Sequence, residues 1–241
     1  MSGRKTVTSL QVVEYLRNCI EHGDLQPEDK LPSERVISEQ LQTTRVTARE
    51  ALKQLEAEGA IYRSNRRGWF VTPRRINYDP SRNTFFMDYV AAQGFTPYST
   101  ELGKDRIEIT SRVARKMDAA SDETLVKLER VRGANGRAVY LETIYLRESL
   151  LPGVFDKALE RSVSTVLTRD YEQEFSTVEL DITVGALTAE QAALLDAPAG
   201  YTCICVHRIT RNADGNVLEY DREYWRHDSL NLNVLIDNRK G

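Results

Sequence analysis

The chain has 241 residues, 41% hydrophobic and 29% charged, a balance that fits a soluble globular protein with a real core and excludes an unstructured chain. Its net charge of −3 divides unevenly: residues 1–75 hold 13 basic and 10 acidic side chains, the remainder 20 and 26, which excludes general coating of nucleic acid and leaves room for local contact. No apolar run approaches membrane-spanning length, and Met1 to Thr6 precede no apolar signal region, so a cytoplasmic protein is expected. The first periodic stretch, Ser9 to Ile20, carries Leu10, Val13, Leu16 and Ile20 at helical spacing and ends at His22-Gly23-Asp24. Pro32-Ser33 starts the next helix: Ser33 can cap its orphan amides, Glu34 suits the dipole, and Val36, Ile37 and Leu41 form one apolar stripe. Gln42-Thr43-Thr44 makes a turn, and Thr44 can cap a further helix that Gly59 terminates. There Ala48, Ala51, Leu52 and Leu55 share one side, and Arg45, Arg49 and Lys53 another. Two short strands, Ala60 to Tyr62 and Trp69 to Val71, then flank the cationic tip Arg63-Ser64-Asn65-Arg66-Arg67-Gly68. A basic helix row alone also fits a solvated face. The combination of capped helix, short turn, basic second helix and basic hairpin is that of a winged helix-turn-helix that binds DNA.

These residues carry a family resemblance. Leu31-Pro32-Ser33-Glu34, then Arg45, Thr47, Arg49, Ala51 and Leu52, then Gly68, Phe70 and Val71 resemble the signature of the GntR family of bacterial transcription regulators. The resemblance implies a homodimer on a palindromic double-stranded DNA operator. Arg45 and Arg49 would reach guanine edges or phosphates with Arg35 and Thr47 assisting, and the caps Ser33 and Thr44 and the wing residues Arg66, Arg67 and Gly68 complete the expected contact set. Relatives carry Gly-x-Gly-Thr at the wing tip, where this chain has Arg66-Arg67-Gly68-Trp69.

Thr72 to Pro80 holds two prolines and no helical period, so a linker is expected over 76–80, between a DNA-binding domain at 1–75 and a second domain at 81–241. In that second domain Phe85, Phe86, Tyr89 and Val90 predict a helix stopped near Gly94, Ile107 to Ile109 a short strand, and Ser111 to Ala119 a helix. Two hairpins follow a shared plan, Thr124–Arg132 with Arg137–Leu146 through Ala134-Asn135-Gly136, and Cys203–Arg211 with Asn216–Arg226 through Ala213-Asp214-Gly215, each carrying a turn dipeptide. A helix at Val163–Tyr171, a strand at Val178–Val184 and a helix at Ala189–Leu195 lie between them. The expected class is α+β with an antiparallel sheet.

Period two places Val126, Leu128, Arg130 and Arg132 on one side of a strand. Buried charges need partners, so the arginines belong either to a structural salt bridge or to a guanidinium clamp for phosphate or phosphonate. If Ala134-Asn135-Gly136 is a three-residue loop, Arg132 faces Ala138, Arg130 faces Tyr140 and Leu128 faces Glu142, which puts Glu142 on the arginine face; a two-residue turn would send it to the other side. The same loop length puts Glu219, Asp221, Glu223 and Trp225 on one face with His207. Acids and an aromatic beside arginines suit a ligand carrying both an anion and a cation.

The strand-rich second domain and the run Tyr224-Trp225-Arg226-His227-Asp228-Ser229-Leu230 resemble the HutC subfamily, whose UTRA effector domain has a chorismate-lyase-like fold and binds small ligands. That resemblance implies ligand contacts from Arg130, Arg132, Glu142, Ser162, Glu219 and Trp225, with a phosphate loop at Asn83-Thr84-Phe85; Ser164 stands where relatives often have Tyr. Arg66 to Val71 and the Tyr-Trp-Arg-His run further resemble regulators of 2-aminoethylphosphonate use, which implies a repressor released by that ligand. The alternatives are a regulator of sugar-phosphate or amino-acid catabolism, and a lyase-like enzyme fused to a DNA-binding head. No nucleophile elbow, phosphate-binding glycine loop or His-Glu-x-x-His occurs, and His22, His207 and His227 are scattered, so no catalytic residue, cofactor or metal is expected. Cys19, Cys203 and Cys205 make no Cys-x-x-Cys pair, which agrees with a reduced compartment.

Overall fold

A computed structural model describes residues 7–64, 67–80, 85–120 and 123–235. They form two compact units, the first comprising residues up to Arg75 with Asp196–Pro198 and His227–Ser229, the second nearly all the rest. No helix among the described residues is long and apolar enough to cross a membrane.

The first unit holds α1 (Ser9–Glu21), α2 (Glu34–Gln40), α3 (Arg45–Ala57), β1 (Ile61–Ser64) and β2 (Gly68–Val71). Each helix starts where a hydroxyl can take an orphan amide: Thr8 accepts from Gln11, Ser33 from Val36 and Thr44 from Thr47. Helix α3 ends at Glu58, and Gly59 turns the chain out at φ 72°. One apolar stripe from each helix meets in a closed core: Val12, Val13 and Leu16 of α1, Ile37 of α2, and Ala48, Ala51, Leu52 and Leu55 of α3, with Trp69 and Val71 below. Strands β1 and β2 pair antiparallel from Ile61↔Val71 to Ser64↔Gly68. This is a winged helix-turn-helix.

The second unit holds β3 (Ile76–Tyr78), α4 (Phe86–Ala92), β4 (Pro97–Glu108), α5 (Ser111–Met117), β5 (Thr124–Ala134), β6 (Arg137–Arg147), α6 (Val163–Asp170), β7 (Thr177–Ala186), α7 (Ala189–Leu194), β8 (Thr202–Arg211), β9 (Val217–Arg226) and β10 (Leu230–Leu232). Six strands make one antiparallel sheet in the order β4-β5-β6-β9-β8-β7. On one face Val126, Leu128, Ile144 and Leu146 meet Leu151, Val154, Val163, Val166 and Leu167. On the other, Leu125, Tyr145, Ile209 and Tyr220 meet Val113 and Met117 of α5.

Two elements differ from expectation. Ile76 to Tyr78, expected as linker, is extended but paired: β3 runs parallel to β10, Ile76↔Leu230 to Tyr78↔Leu232. The short strand at Ile107 is the tail of twelve-residue β4. That edge strand is charged and half exposed, and a bulge at Leu102 breaks its alternation, so no period-two signal marks it.

The hairpin registers also correct the sequence reading. The first turn has two residues, Asn135 and Gly136, at φ 51° and 78°, the left-handed pair a tight hairpin needs. By itself that turn would put Glu142 on the face away from the arginines. One extra residue, Val139, bulges from β6 between Gly133↔Ala138 and Arg132↔Tyr140, and the faces are restored. Arg132 therefore faces Tyr140, Arg130 faces Glu142 and Leu128 faces Ile144. In the second hairpin Leu218 is the extra residue, between Arg211↔Val217 and Thr210↔Glu219. That bulge moves His207 to the opposite face, across from Arg222, and puts Arg208 across from Asp221.

Gly133 sits at the first bulge, where a Cβ would fall on the Tyr98 ring and the carbonyl of Arg137. Gly133→Ala therefore overpacks a site with no room to give, and a loss of about 1–3 kcal/mol is expected. A thermal melt of the full chain measures it, and Gly136→Ala, whose Cβ meets nothing within 4 Å, separates backbone strain from collision.

Candidate functional site

The first candidate is the outer face of the winged unit. Arg45 and Arg49 project from the first two turns of α3, since the stripe at Ala48, Ala51 and Leu52 is buried. Arg49 is held: its Nε and Nη2 donate to the Glu34 carboxylate at 3.0 and 2.7 Å, and that bond keeps the Glu34 carboxyl below its usual range. Arg35 pairs with Glu39 on the same helix at 2.9 Å. The caps have local work: Ser33 and Thr44 accept from Val36 and Thr47 amides, and the Thr44 and Thr47 hydroxyls share a 2.9 Å hydrogen bond. Beside them an open cleft of about 510 Å³ is edged by Lys30, Arg35, Arg45, Arg49, Arg63 and Arg67. Lys30 escaped the sequence reading, and Arg63 was read as part of the cationic tip but not placed in the contact set; the Lys30 backbone bridges to Phe70, and Arg63 lies 5.8 Å over the Trp69 ring. Val46, 62% exposed near the start of α3, was also missed and offers an apolar contact beside the arginines. Gly68 stands at φ 110°, a region side chains avoid. Arg66 lies outside the described residues.

The second candidate is a cavity of about 70 Å³ on the α6 side of the sheet. Glu142 is its hub. One carboxylate oxygen, Oε2, accepts from Arg130 Nε at 2.7 Å and from Arg132 Nε at 3.1 Å. Arg130 also donates to the Leu159 carbonyl at 2.6 Å, and Arg132 to that of Arg161 at 3.0 Å while lying over the Phe86 ring. All three side chains are buried. Burial works against the Glu142 charge, but the two guanidiniums win and its carboxyl is lowered. The salt bridge and the cavity wall are thus the same residues.

Across β9 the acids are used unequally. Glu223 accepts from Arg208 at 3.4 Å through one oxygen and from the Trp225 indole through the other. Arg208 also reaches the Tyr78 hydroxyl. Burial pushes Glu219 up to about 7. Burial, reinforced by Glu142, Glu223 and Glu219, raises Asp221 well above the ordinary carboxylate range, and its Oδ1 is buried without a hydrogen-bond partner.

Of the residues expected around a ligand, Phe85, Arg130, Arg132, Glu142, Ser162, Ser164 and Glu219 line the cavity. Ser162 caps α6, accepting from the Thr165 amide at 3.1 Å, so the start of that helix opens on the cavity beside Arg161. Trp225 does not line it: the indole is buried, stacks on Tyr140 at 3.8 Å and holds Glu223 in place. Asn83 and Thr84 lie outside the described residues. Asp221, Glu223 and Arg208 belong to the wall and were not in the expected contact set; for the acids, sharing a face with Glu219 was the available signal.

Comparison with known proteins adds the following. Residues 8–71 match the profile of bacterial regulatory proteins, gntR family, and residues 92–231 match the UTRA domain. The HTH-type transcriptional regulator YihL of Escherichia coli is 30% identical over 226 residues, 92% of this chain and 95% of its own. The HTH-type transcriptional repressor NagR of Bacillus subtilis is 28% identical over 227 residues, 94% of this chain and 93% of its own. The crystal structure of PhnF from Mycobacterium smegmatis superimposes with a TM-score of 0.66 at 23% identity, covering 95% of this chain and 100% of that one, a likeness of fold.

A stability profile tests the cavity's electrostatics. With Glu219 at about 7 in the folded state against 4.5 as its ordinary value, the unfolded chain releases this proton first as pH rises. Stability from this group is therefore expected to fall between about pH 4.5 and about 7 and to level off above. Thermal melts of the ligand-free protein across that window check it: Glu219→Gln should flatten the decline, and an identical slope would refute the assignment.

Proposed function

The chain belongs to the gntR family of bacterial regulatory proteins; it is a DNA-binding transcription regulator with a UTRA domain for a small ligand, not an enzyme, and from that premise we propose that it is a cytoplasmic, homodimeric repressor released by a small phosphonate or phosphate such as 2-aminoethylphosphonate. The observation that carries the ligand class is the cavity wall, where Arg130, Arg132 and Arg208 meet the capped start of α6. Guanidiniums and free helix amides together select a compact tetrahedral anion. NagR is named a repressor, and MngR of Escherichia coli, 25% identical over 232 residues, is named the repressor of a mannosyl-D-glycerate system, which supports the repressor mode.

On the DNA side Arg45 and Arg49 read base edges in the major groove, with Arg35 and Thr47 beside them, while Arg63, Arg66 and Arg67 supply charge from the wing. Two copies related by a two-fold axis would place two such helices on a palindrome about one helical turn apart. Ligand in the cavity and operator on the helices are then coupled reciprocally, typically by ~1–3 kcal/mol, a 5–150-fold change in affinity.

The experiment is fluorescence anisotropy with a palindromic fragment selected from random DNA by the full-length protein. Arg49→Ala should weaken specific binding about tenfold or more, given ~1–3 kcal/mol for a bidentate arginine–guanine contact. Arg63→Ala with Arg67→Ala should lower the salt slope by roughly one or two units. Millimolar 2-aminoethylphosphonate should release the wild-type protein from the fragment. Release by neither this ligand nor a sugar phosphate would sink the effector class, and sedimentation as a monomer on DNA would sink the dimer.

A further inference from the structure

The cavity contains more acid than its arginines use. Around it the buried Arg130 and Arg132 and the half-buried Arg208, with the exposed Arg161 also on the lining, face the carboxyl groups of Glu142, Glu219, Asp221 and Glu223. Glu142 is taken by Arg130 and Arg132, and Glu223 by Arg208 and the Trp225 indole. Arg208 stands directly opposite Asp221 in the β8–β9 pairing, yet its guanidinium turns to Tyr78 and Glu223. Asp221 is left 3% exposed with Oδ1 lacking any partner. A buried acceptor without a donor is costly, and donors reach it from the cavity or not at all.

We propose that Asp221 is the receptor for a cationic nitrogen on the effector, with Glu142 and Glu223 completing the oxygen cage, so that the site demands an ammonium as well as an anion. This rests on the anion-binding reading above and deepens it. One oxygen from each of the three acids lies within 4.8 Å of the others, the spacing of acceptors around a single small cation. The Glu142 and Glu223 acceptors already hold guanidinium or indole donors, whereas Asp221 Oδ1 holds none, which suits the N–H donors of an ammonium. The raised Asp221 carboxyl agrees: without a cation it keeps its proton, and an ammonium at contact distance favours the carboxylate. Asp221 thereby separates amines from isosteric ligands that lack the nitrogen, since each of those leaves the acid unpaired.

The test is isothermal titration of the full-length protein with two matched pairs, 2-aminoethylphosphonate against ethylphosphonate and glucosamine 6-phosphate against glucose 6-phosphate. The amine of at least one pair should bind about tenfold or more tighter than its partner. Asp221→Asn, which keeps shape and cannot become an anion, should bring that ratio to within about threefold. Amine and amine-free members binding equally well to wild type in every pair that binds would overturn the amine requirement and leave the anion site standing. If only the sugar phosphates bind, the phosphonate reading fails while Asp221 is still judged on that pair, and binding of neither amine overturns the proposal. Manganese chloride alone binding in the wild type and not in Asp221→Asn, with no amine preference, would overturn it in favour of a metal site. The wild-type comparison decides even if the variant does not fold.

Discussion

The arrangement of the second unit depends on one carboxylate. Glu142 Oε2 takes hydrogen bonds from two guanidiniums on the neighbouring strand, and all three side chains are buried. Removing one partner of such a group leaves uncompensated charge where solvent cannot reach, a loss of about 3–5 kcal/mol where it has been measured. The backbone carbonyls of Leu159 and Arg161 fix the other ends of the two arginines, so the segment leading into α6 is tied to the sheet by the same charges. The fold of this unit and the shape of its cavity are therefore set together.

That carboxylate reaches the arginines only because of an irregularity. The tight turn at Asn135-Gly136 imposes a pairing that would turn Glu142 away, and the bulge at Val139 reverses it. The bulge at Leu218 does the opposite for the second hairpin, exchanging His207 for Arg208 on the acid face. Two single-residue insertions thus decide which charges meet, and both are ordinary buried aliphatics.

This explains what the chain declares and what it conceals. Turn residues, helix caps and apolar stripes act over a few positions, so Ser33, Thr44, Asn135-Gly136 and the α3 stripe could be read directly. The winged unit, built from such local signals, was legible almost throughout. Registers are long-range quantities, and nothing about Val139 or Leu218 as residue types marks a bulge. Strand β4 was hidden for a related reason: an edge strand bearing Glu101, Lys104, Asp105 and Arg106 has no apolar rhythm. At the cavity, the arginines and Glu142 were visible as a face of charge, whereas the idle oxygen of Asp221 follows from where Arg208 points and from no pattern along the chain. Trp225 misled because an aromatic beside acids looks like a wall residue; it is a brace.

The Glu34–Arg49 pair bears on how fast such a protein can find its site. Arg49 is already satisfied by a bidentate partner on α2, so contact with a base is an exchange of one acceptor for another. On the proposed DNA reading the exchange returns little along arbitrary sequence, and the side chain would stay sheathed while Lys30, Arg63 and Arg67, which edge the same cleft, met the phosphates. On that reading, only a guanine offering both its acceptors would make unsheathing favourable. Such a helix drags less on the wrong sequence, which is the property a one-dimensional search requires.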